Sequence, residues 1–175
     1  HPFRPAPLIP HLSPVLIDAY QKVMASPRLA RVKLHAYGDR NKLESGDAWP
    51  RVLWLPTSDR LAPPDTLGRV PGVIVGKRAI ATSIATRLAG ADVHLFTGAD
   101  LQGLRDAEEL LNDFLVALHE ELLSWSNYEV TAIRWTPPGA ISQATTLVLV
   151  SLAVKVPVWQ TDPAQLVSGA AARLK

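Results

Sequence analysis

Four groupings of residues have types and spacings that chemistry could use. GVIVGKR (residues 72–78) sets two glycines before a lysine, the combination that cradles a phosphate when backbone amides converge on it. A phosphate loop needs four residues between those glycines and Ser or Thr after the lysine to hold magnesium. Here three residues intervene and Arg78 follows Lys77, so the segment reads as a basic loop. His119-Glu120 opens like the zinc helix in which two histidines one turn apart hold the metal and the glutamate acts as general base. Position 123 is Leu, so the second ligand is missing. The other histidines stand at 1, 11, 35 and 94, and His35 and His94 would meet if their strands pair. Ser83 has no glycine flank and no strand–serine–helix elbow around it. Acid pairs such as Asp106 with Glu109 fall on a solvated helix face. No catalytic residue, metal ligand or cofactor site is nominated on these grounds, and a small hydrolase or ligand-binding enzyme remains an alternative of a different class.

Bulk properties narrow the field further. A chain of 175 residues with 47% apolar and 19% charged content suits one domain with a real core and is too apolar for a disordered chain. The formal net charge of +2 is too small to argue for nucleic acid as the main partner, although local basic loops can meet phosphate. With no cysteine, disulfides and thiolate–metal sites are excluded. The longest apolar run, LVLVSLAVKVPVW, is broken by Ser151 and Lys155 and falls short of a membrane span. No signal-peptide pattern is visible; the chain begins at His1, and residues before it are expected.

The elements that would position these residues follow from periodicity. Residues 1–14 carry five prolines and read as an extended arm, either a frayed terminus or a segment that lies on a neighbouring subunit with Phe3, Leu8, Ile9 and Leu12 to bury there. Ser13-Pro14 caps a helix that Pro27 ends, with Val15, Leu16, Ala19, Tyr20 and Val23 at helical spacing. Strands are expected over LARVKLHAYG and PRVLWLP, then a long loop over 57–77. RAIATSIATRLAG alternates as a strand, Gly90 is expected to turn the chain, and ADVHLFTG follows as a second strand. DLQGLRDAEELLNDFLVALHEELL is the clearest helix, with Leu104, Ala107, Leu111, Phe114, Leu115, Leu118 and Leu122 in one stripe and Asp100 as its cap. Glu120 and Glu121 oppose the dipole at its end, a pair that either meets a nearby cation or is simply solvated. In the next strand, Tyr128, Val130, Ala132 and Arg134 should share one face and Glu129, Thr131, Ile133 and Trp135 the other. Val148, Val150, Leu152, Val154, Val156 and Val158 make one apolar face of the last strand. The expected fold is α+β: a mainly antiparallel or mixed sheet, an N-terminal helix and a long central helix on one face, and a closing β-hairpin. The organisation is arm 1–14, one domain 15–160, and tail 161–175.

Projecting, apolar-tipped segments stand out more than any chemistry. Trp49, Trp54, Trp135 and Trp159 all fall at strand ends, and tryptophan is enriched in interfaces. The hairpin loop IRWTPPGAISQATT adds Pro137, Pro138 and Ile141. Lys77, Arg78 and Arg87 supply local positive charge. These residues, with Phe3, Leu8 and Ile9, are the interface candidates.

The run ADVHLFTGADLQGLRDAEELLNDFLVALHEELL, followed by YEVTAIRW, a loop and TTLVLVSLAVKVPV, resembles the tail-terminator proteins of long-tailed bacteriophages. The matching residues are Val93, Leu95 and Phe96 before the helix, then Ala117, Leu118 and His119 near its end, then the strands 128–135 and 146–158. The resemblance covers roughly residues 13–158 and omits the arm and the region after Trp159. It implies a virion protein of the neck, made in the host cytoplasm, that forms a hexameric ring on the tail tube. Such a ring stops tube polymerisation and joins the tail to head-completion proteins, with no catalysis, cofactor or membrane involved. DNA would pass through its lumen without sequence specificity. Lys77, Arg78 and Arg87 would then face the lumen or an acidic neighbour. Another head–tail connector component, a head-closure or tail-completion protein, is the alternative within the same class.

Overall fold

A computed structural model describes residues 14–39, 49–64, 72–75, 78–98, 101–122, 127–136 and 145–161, with only the backbone course for 72–75, 78–82, 145–146 and 161. The fold is α+β. Helix α1 (Pro14–Met24) is followed by a 3-10 turn (Pro27–Leu29), and strand β1 spans Leu34–Tyr37. Strands β2 (Arg51–Ala62), β3 (Gly72–Val75) and β4 (Arg78–Gly98) come next. Helix α2 (Leu101–Leu122) and the hairpin strands β5 (Tyr128–Thr136) and β6 (Thr145–Thr161) complete the order. The sheet runs β1-β2-β4-β6-β5, with β3 pairing the first part of β4. All pairings are antiparallel except β1 with β2.

The sheet is organised around the β4–β6 ladder, which is continuous from Ala81↔Thr161 to Gly98↔Thr145 apart from one shift at Ser83/Ala85. Ala89, Ala91, Val93 and Leu95 of β4 and Val148, Val150, Leu152 and Val154 of β6 bury one face against Leu16, Ala19 and Val23 of α1 and Ala107, Leu110, Phe114, Ala117 and Leu118 of α2. Burying each large apolar side chain contributes about 1.5–3 kcal/mol. Ser26 accepts from the Arg28 amide and starts the 3-10 turn, so the chain leaves α1 and crosses the end of α2. There Arg28 grips the Glu120 carboxylate with Nε at 2.9 and 3.0 Å and Nη2 at 2.7 Å. Of the two readings of the acidic end of α2, Glu120 meets a cation.

Several sequence expectations give way to the pairing. Residues 57–62 are strand, not loop, because the second half of β2 pairs with Thr86–Gly90 of β4. The long loop 57–77 is interrupted again by β3. Pro56 is tolerated inside β2 because its missing N–H falls on the side with no neighbouring strand among the described residues. Gly90 turns nothing: β4 runs straight through it. Glycine is needed there because a Cβ would meet Ser58 Oγ at 2.9 Å and Thr57 Oγ1 at 3.1 Å, where β2 bulges. The first strand starts only at Leu34, and β6 runs on through Thr161. In β5 a bulge between Val130 and Ala132 exchanges the faces. Tyr128 and Val130 lie on the helix side, and beyond the bulge Ile133 and Trp135 take that side, opposite Val150 and Val148. In α2, Leu110 and Ala117 join the buried stripe, while Leu104, Leu115 and Leu122 are half-buried. Asp100 lies outside the described residues.

The start of α2 is seated by a close approach of backbones. A Cβ at Gly103 would sit 1.7 Å from the Gly98 carbonyl oxygen, and Thr97 Oγ1 donates to the Gly103 carbonyl at 2.7 Å. Gly103→Ala must push the helix off the strand end. It should cost about 3 kcal/mol, read as a lowered urea midpoint. The Arg28 hydrogen bonds, and then its charge, hold the Glu120 carboxyl below its usual range. The stabilisation is therefore present above the unfolded carboxylate value and lost as pH falls through the folded one. Glu120→Gln should lower the melting temperature at pH 7 in low salt, and its difference from the parent should vanish in acid.

Candidate functional site

The polar groups that sequence inspection weighed for chemistry are dispersed by the fold. His35 pairs with Val52 on the helix side and contacts Tyr20, whereas His94 lies opposite Leu53 on the other face and stacks on Phe96. β2 separates them, so they do not meet. His119 contacts the Tyr128 hydroxyl at 3.1 Å, and Glu120 belongs to Arg28. Ser83 donates to the Ala85 carbonyl at its own bulge. Among the described residues no group of three His, Asp or Glu side chains could hold a metal ion.

The face of the sheet away from the helices carries a groove of about 260 Å³ over Gly90 and Ala153. Thr57, Ser58, Thr131 and Ser151 line it with hydroxyls. Ser151 donates to Asp92 at 2.7 Å and Thr131 donates to the Ser151 carbonyl at 3.2 Å. Arg60 of β2 reaches Glu129 of β5 at 3.4 Å, across the two strands between them. The bridge closes over small residues, and Leu88 and Ala153 beneath it are buried. Among the described residues the walls of the groove carry the Asp92 carboxylate and hydroxyls but no histidine. A second hollow, about 390 Å³, lies beside Glu108, Glu109, Asn112 and Asp113 of α2, where Arg31 meets Glu109 at 2.9 Å and Asp113 at 3.2 Å.

The interface candidates separate sharply. Trp54 is a core residue, 0% exposed and edge-on to Tyr20 and Phe114, so its assignment to an interface is corrected. Beside it, burial pushes the Tyr37 hydroxyl up to about 12. Trp49 is half-buried with the Arg51 guanidinium 4.5 Å above its ring. Trp135 and Trp159 are exposed, at 42% and 45%. Arg87 is held by Asp59, with Nε at 2.8 Å from both oxygens and Nη2 at 2.6 Å from one, so its charge is matched within the chain. Only the backbone of Arg78 is described; Phe3, Leu8, Ile9, Lys77, Pro137, Pro138 and Ile141 lie outside the described residues.

Exposed apolar side chains fall at two ends of the sheet. Ile133 and Trp135 lie beside the row of Leu95 and Val148, the end from which α2 starts at exposed Leu101. Leu61, Ile84 and Trp159 lie at the other end, beside Arg87 and Ser83. The two groups are roughly 35 Å apart along β6 at about 3.3 Å per residue. Sequence reading missed Leu61 because it assigned it to a loop, and Ile84 because its bulge depends on β6.

Neither known protein families nor curated proteins give a match to this chain.

The split among tryptophans is measurable. Trp54→Ala should lose about 3–5 kcal/mol of stability. Trp159→Ala should stay within ~0.5 kcal/mol of the parent. Urea unfolding followed by circular dichroism distinguishes them.

Proposed function

We propose that this protein is a structural subunit of the neck of a long-tailed bacteriophage, resembling the tail terminators, and that six copies form a ring on the tail tube. The ring stops tube growth and presents a surface to the head-completion proteins, and DNA passes through its lumen without sequence readout. The role is assembly rather than catalysis, and the place is the virion.

The observation that carries this reading is that exposed apolar side chains stand at two separate ends of one long sheet. A ring is built from a heterologous contact that closes, so each subunit needs two different complementary surfaces. Ile133, Trp135 and Leu101 are exposed at one end, and at the other end Leu61 is exposed on the helix side, Trp159 on the opposite face and Ile84 at the β4 bulge. The order of elements supports the same reading, since the strand before α2, α2 itself and the closing hairpin stand as in the resemblance. Arg87 is matched by Asp59, so charge facing the lumen rests in this proposal on Lys77 and Arg78.

Negative-stain micrographs of the purified protein should show six-fold rings, and native mass measurement should give six times the mass of the subunit. A monomer at every concentration, with no incorporation into phage particles, would sink the proposal. Ile84→Asp and Trp159→Asp change exposed side chains, so they should leave the melting temperature of the subunit nearly unchanged while reducing ring yield.

A further inference from the structure

Two bulges flank the β4–β6 ladder at the same level, one in β2 and one in β5. The β2 bulge falls between Pro56, opposite Ala91, and Ser58, opposite Gly90. The β5 bulge falls between Val130, opposite Leu152, and Ala132, opposite Ser151. Ala91 and Leu152 are themselves partners, so both bulges adjoin one rung of the ladder. A regular strand sends successive side chains to opposite faces. The extra residue in β2 instead sets two successive hydroxyls on one wall: a Cβ at Gly90 would meet Ser58 Oγ at 2.9 Å and Thr57 Oγ1 at 3.1 Å. In β5 the extra residue is Thr131, which lines the groove from the other side. Bulges re-aim side chains, and here two of them supply hydroxyls to the same hollow.

Charge in this groove is matched at one end only. Asp92 is half-buried and accepts from the Ser151 hydroxyl at 2.7 Å through Oδ1. Among the described residues no basic side chain meets it, because Arg60, the cation on the groove wall, is held by Glu129 at 3.4 Å. Arg60 and Lys155 both lie in the row of Leu88. That row is four residues along β4 from Asp92, roughly 13 Å at about 3.3 Å per residue. Oδ2 of Asp92 is therefore an open acceptor at the end of the groove away from the cations. The Thr57 and Ser58 hydroxyls have no partner among the described residues, and each oxygen offers two lone pairs.

Size and lining restrict what could occupy the space. The hollow is about 260 Å³, below the roughly 300–1,000 Å³ of sites that enclose drug-sized ligands, so it suits a slender group. Gly90 and Ala153 form a floor with no side chain larger than a methyl. The lining carries no aromatic ring, the surface on which quaternary ammonium groups are held. A primary ammonium has three N–H donors and no acceptor, which matches a carboxylate oxygen and two hydroxyls. Asp92 and Gly90 are two residues apart on one face, roughly 7 Å. A nitrogen between them is within hydrogen-bond length of both the open Asp92 oxygen and the hydroxyls over Gly90.

We infer that the groove binds a primary ammonium group carried on an unbranched alkyl chain, with Asp92, Thr57 and Ser58 as its acceptors. The methylenes lie on the small floor of Gly90 and Ala153, as the stem of a lysine lies on apolar surface while its charge is solvated. The same chemistry is offered by a free alkylamine and by a lysine side chain of a partner protein. The site faces away from the helices and does not depend on the ring reading above.

Saturation-transfer NMR, which observes the ligand and works at any oligomeric state, tests the site on the full chain. The diamine putrescine should receive transfer, whereas butanediol, which lacks the charge, and tetramethylammonium, which lacks the donors, should receive none. Asp92→Asn should weaken putrescine binding about tenfold or more, the loss of a charge-assisted hydrogen bond. The double variant Thr57→Ala/Ser58→Ala changes exposed side chains, so it should keep the parent's circular dichroism and weaken binding about fivefold. Glu108→Gln removes an exposed carboxylate on α2 and should change nothing. N-acetyl-lysine amide binding as well as putrescine assigns the site to a lysine side chain of a partner; putrescine binding alone assigns it to a free amine. No binding of either amine, equal binding of tetramethylammonium, or full binding by Asp92→Asn overturns the site. If Asp92→Asn does not fold, unchanged binding by the Thr57/Ser58 double variant overturns it.

Discussion

The β4–β6 ladder is the constraint on which the other features depend. β4 has 21 residues and β6 has 17, and they stay paired nearly end to end. At about 3.3 Å per residue β4 extends roughly 70 Å, whereas α2, with 22 residues, extends roughly 33 Å at 1.5 Å per residue. A helix of nearly equal residue count therefore cannot cover the strand. The packed core occupies the half of the ladder where Ala89–Leu95 meets Val148–Val154. The other half projects beyond the helices, and Leu61, Ile84 and Trp159 are exposed there. The exposure of Leu61 on the helix side follows from this mismatch in length.

Local devices hold the covered half in register. Gly103 lets α2 start in direct backbone contact with Gly98, and Arg28 ties the far end of α2 to the turn after α1. Between them the aromatic group of Tyr20, Tyr37, Trp54 and Phe114 fills the space between helices and sheet. On the opposite face the sheet is roofed by the Arg60–Glu129 bridge and by a small second cluster of Ala36 and Leu53, with Leu55 and Phe96 against it. That bridge is exposed, so its worth lies more in orienting two strands over Gly90 than in Coulomb energy.

The bulges connect this architecture to the proposed roles. Each bulge changes which face, and which edge, a residue serves. At Thr57 the change sets the hydroxyls of Thr57 and Ser58 together over Gly90. In β5 it moves Ile133 and Trp135 onto the helix side, where the α2 stripe no longer reaches. Prolines sit where they do no harm: Pro56 and Pro157 both have their missing N–H on a side with no strand among the described residues. Pro50 and Pro56 made β2 look like a short segment followed by loop when the chain was read alone.

What the amino-acid sequence determined by itself is the set of buried stripes. The period of 3.6 in α2 and the alternation in β6 are local properties, and both correctly marked the faces that water leaves. The α+β class and the two helices on one face followed from those stripes. The arrangement of partners came from tertiary structure alone. Whether Gly90 turns or continues depends on Ser58 and Ala153 beside it, and whether Trp54 is an interface or a core residue depends on Tyr20 and Phe114 above it. Strand pairing is made by backbone groups that every residue but proline carries alike, so register, bulges and open edges leave almost no mark on side-chain pattern. The candidate surfaces at Leu61, Ile84 and Ile133 were invisible for that reason: a side chain is exposed there because of where a neighbouring strand or helix ends.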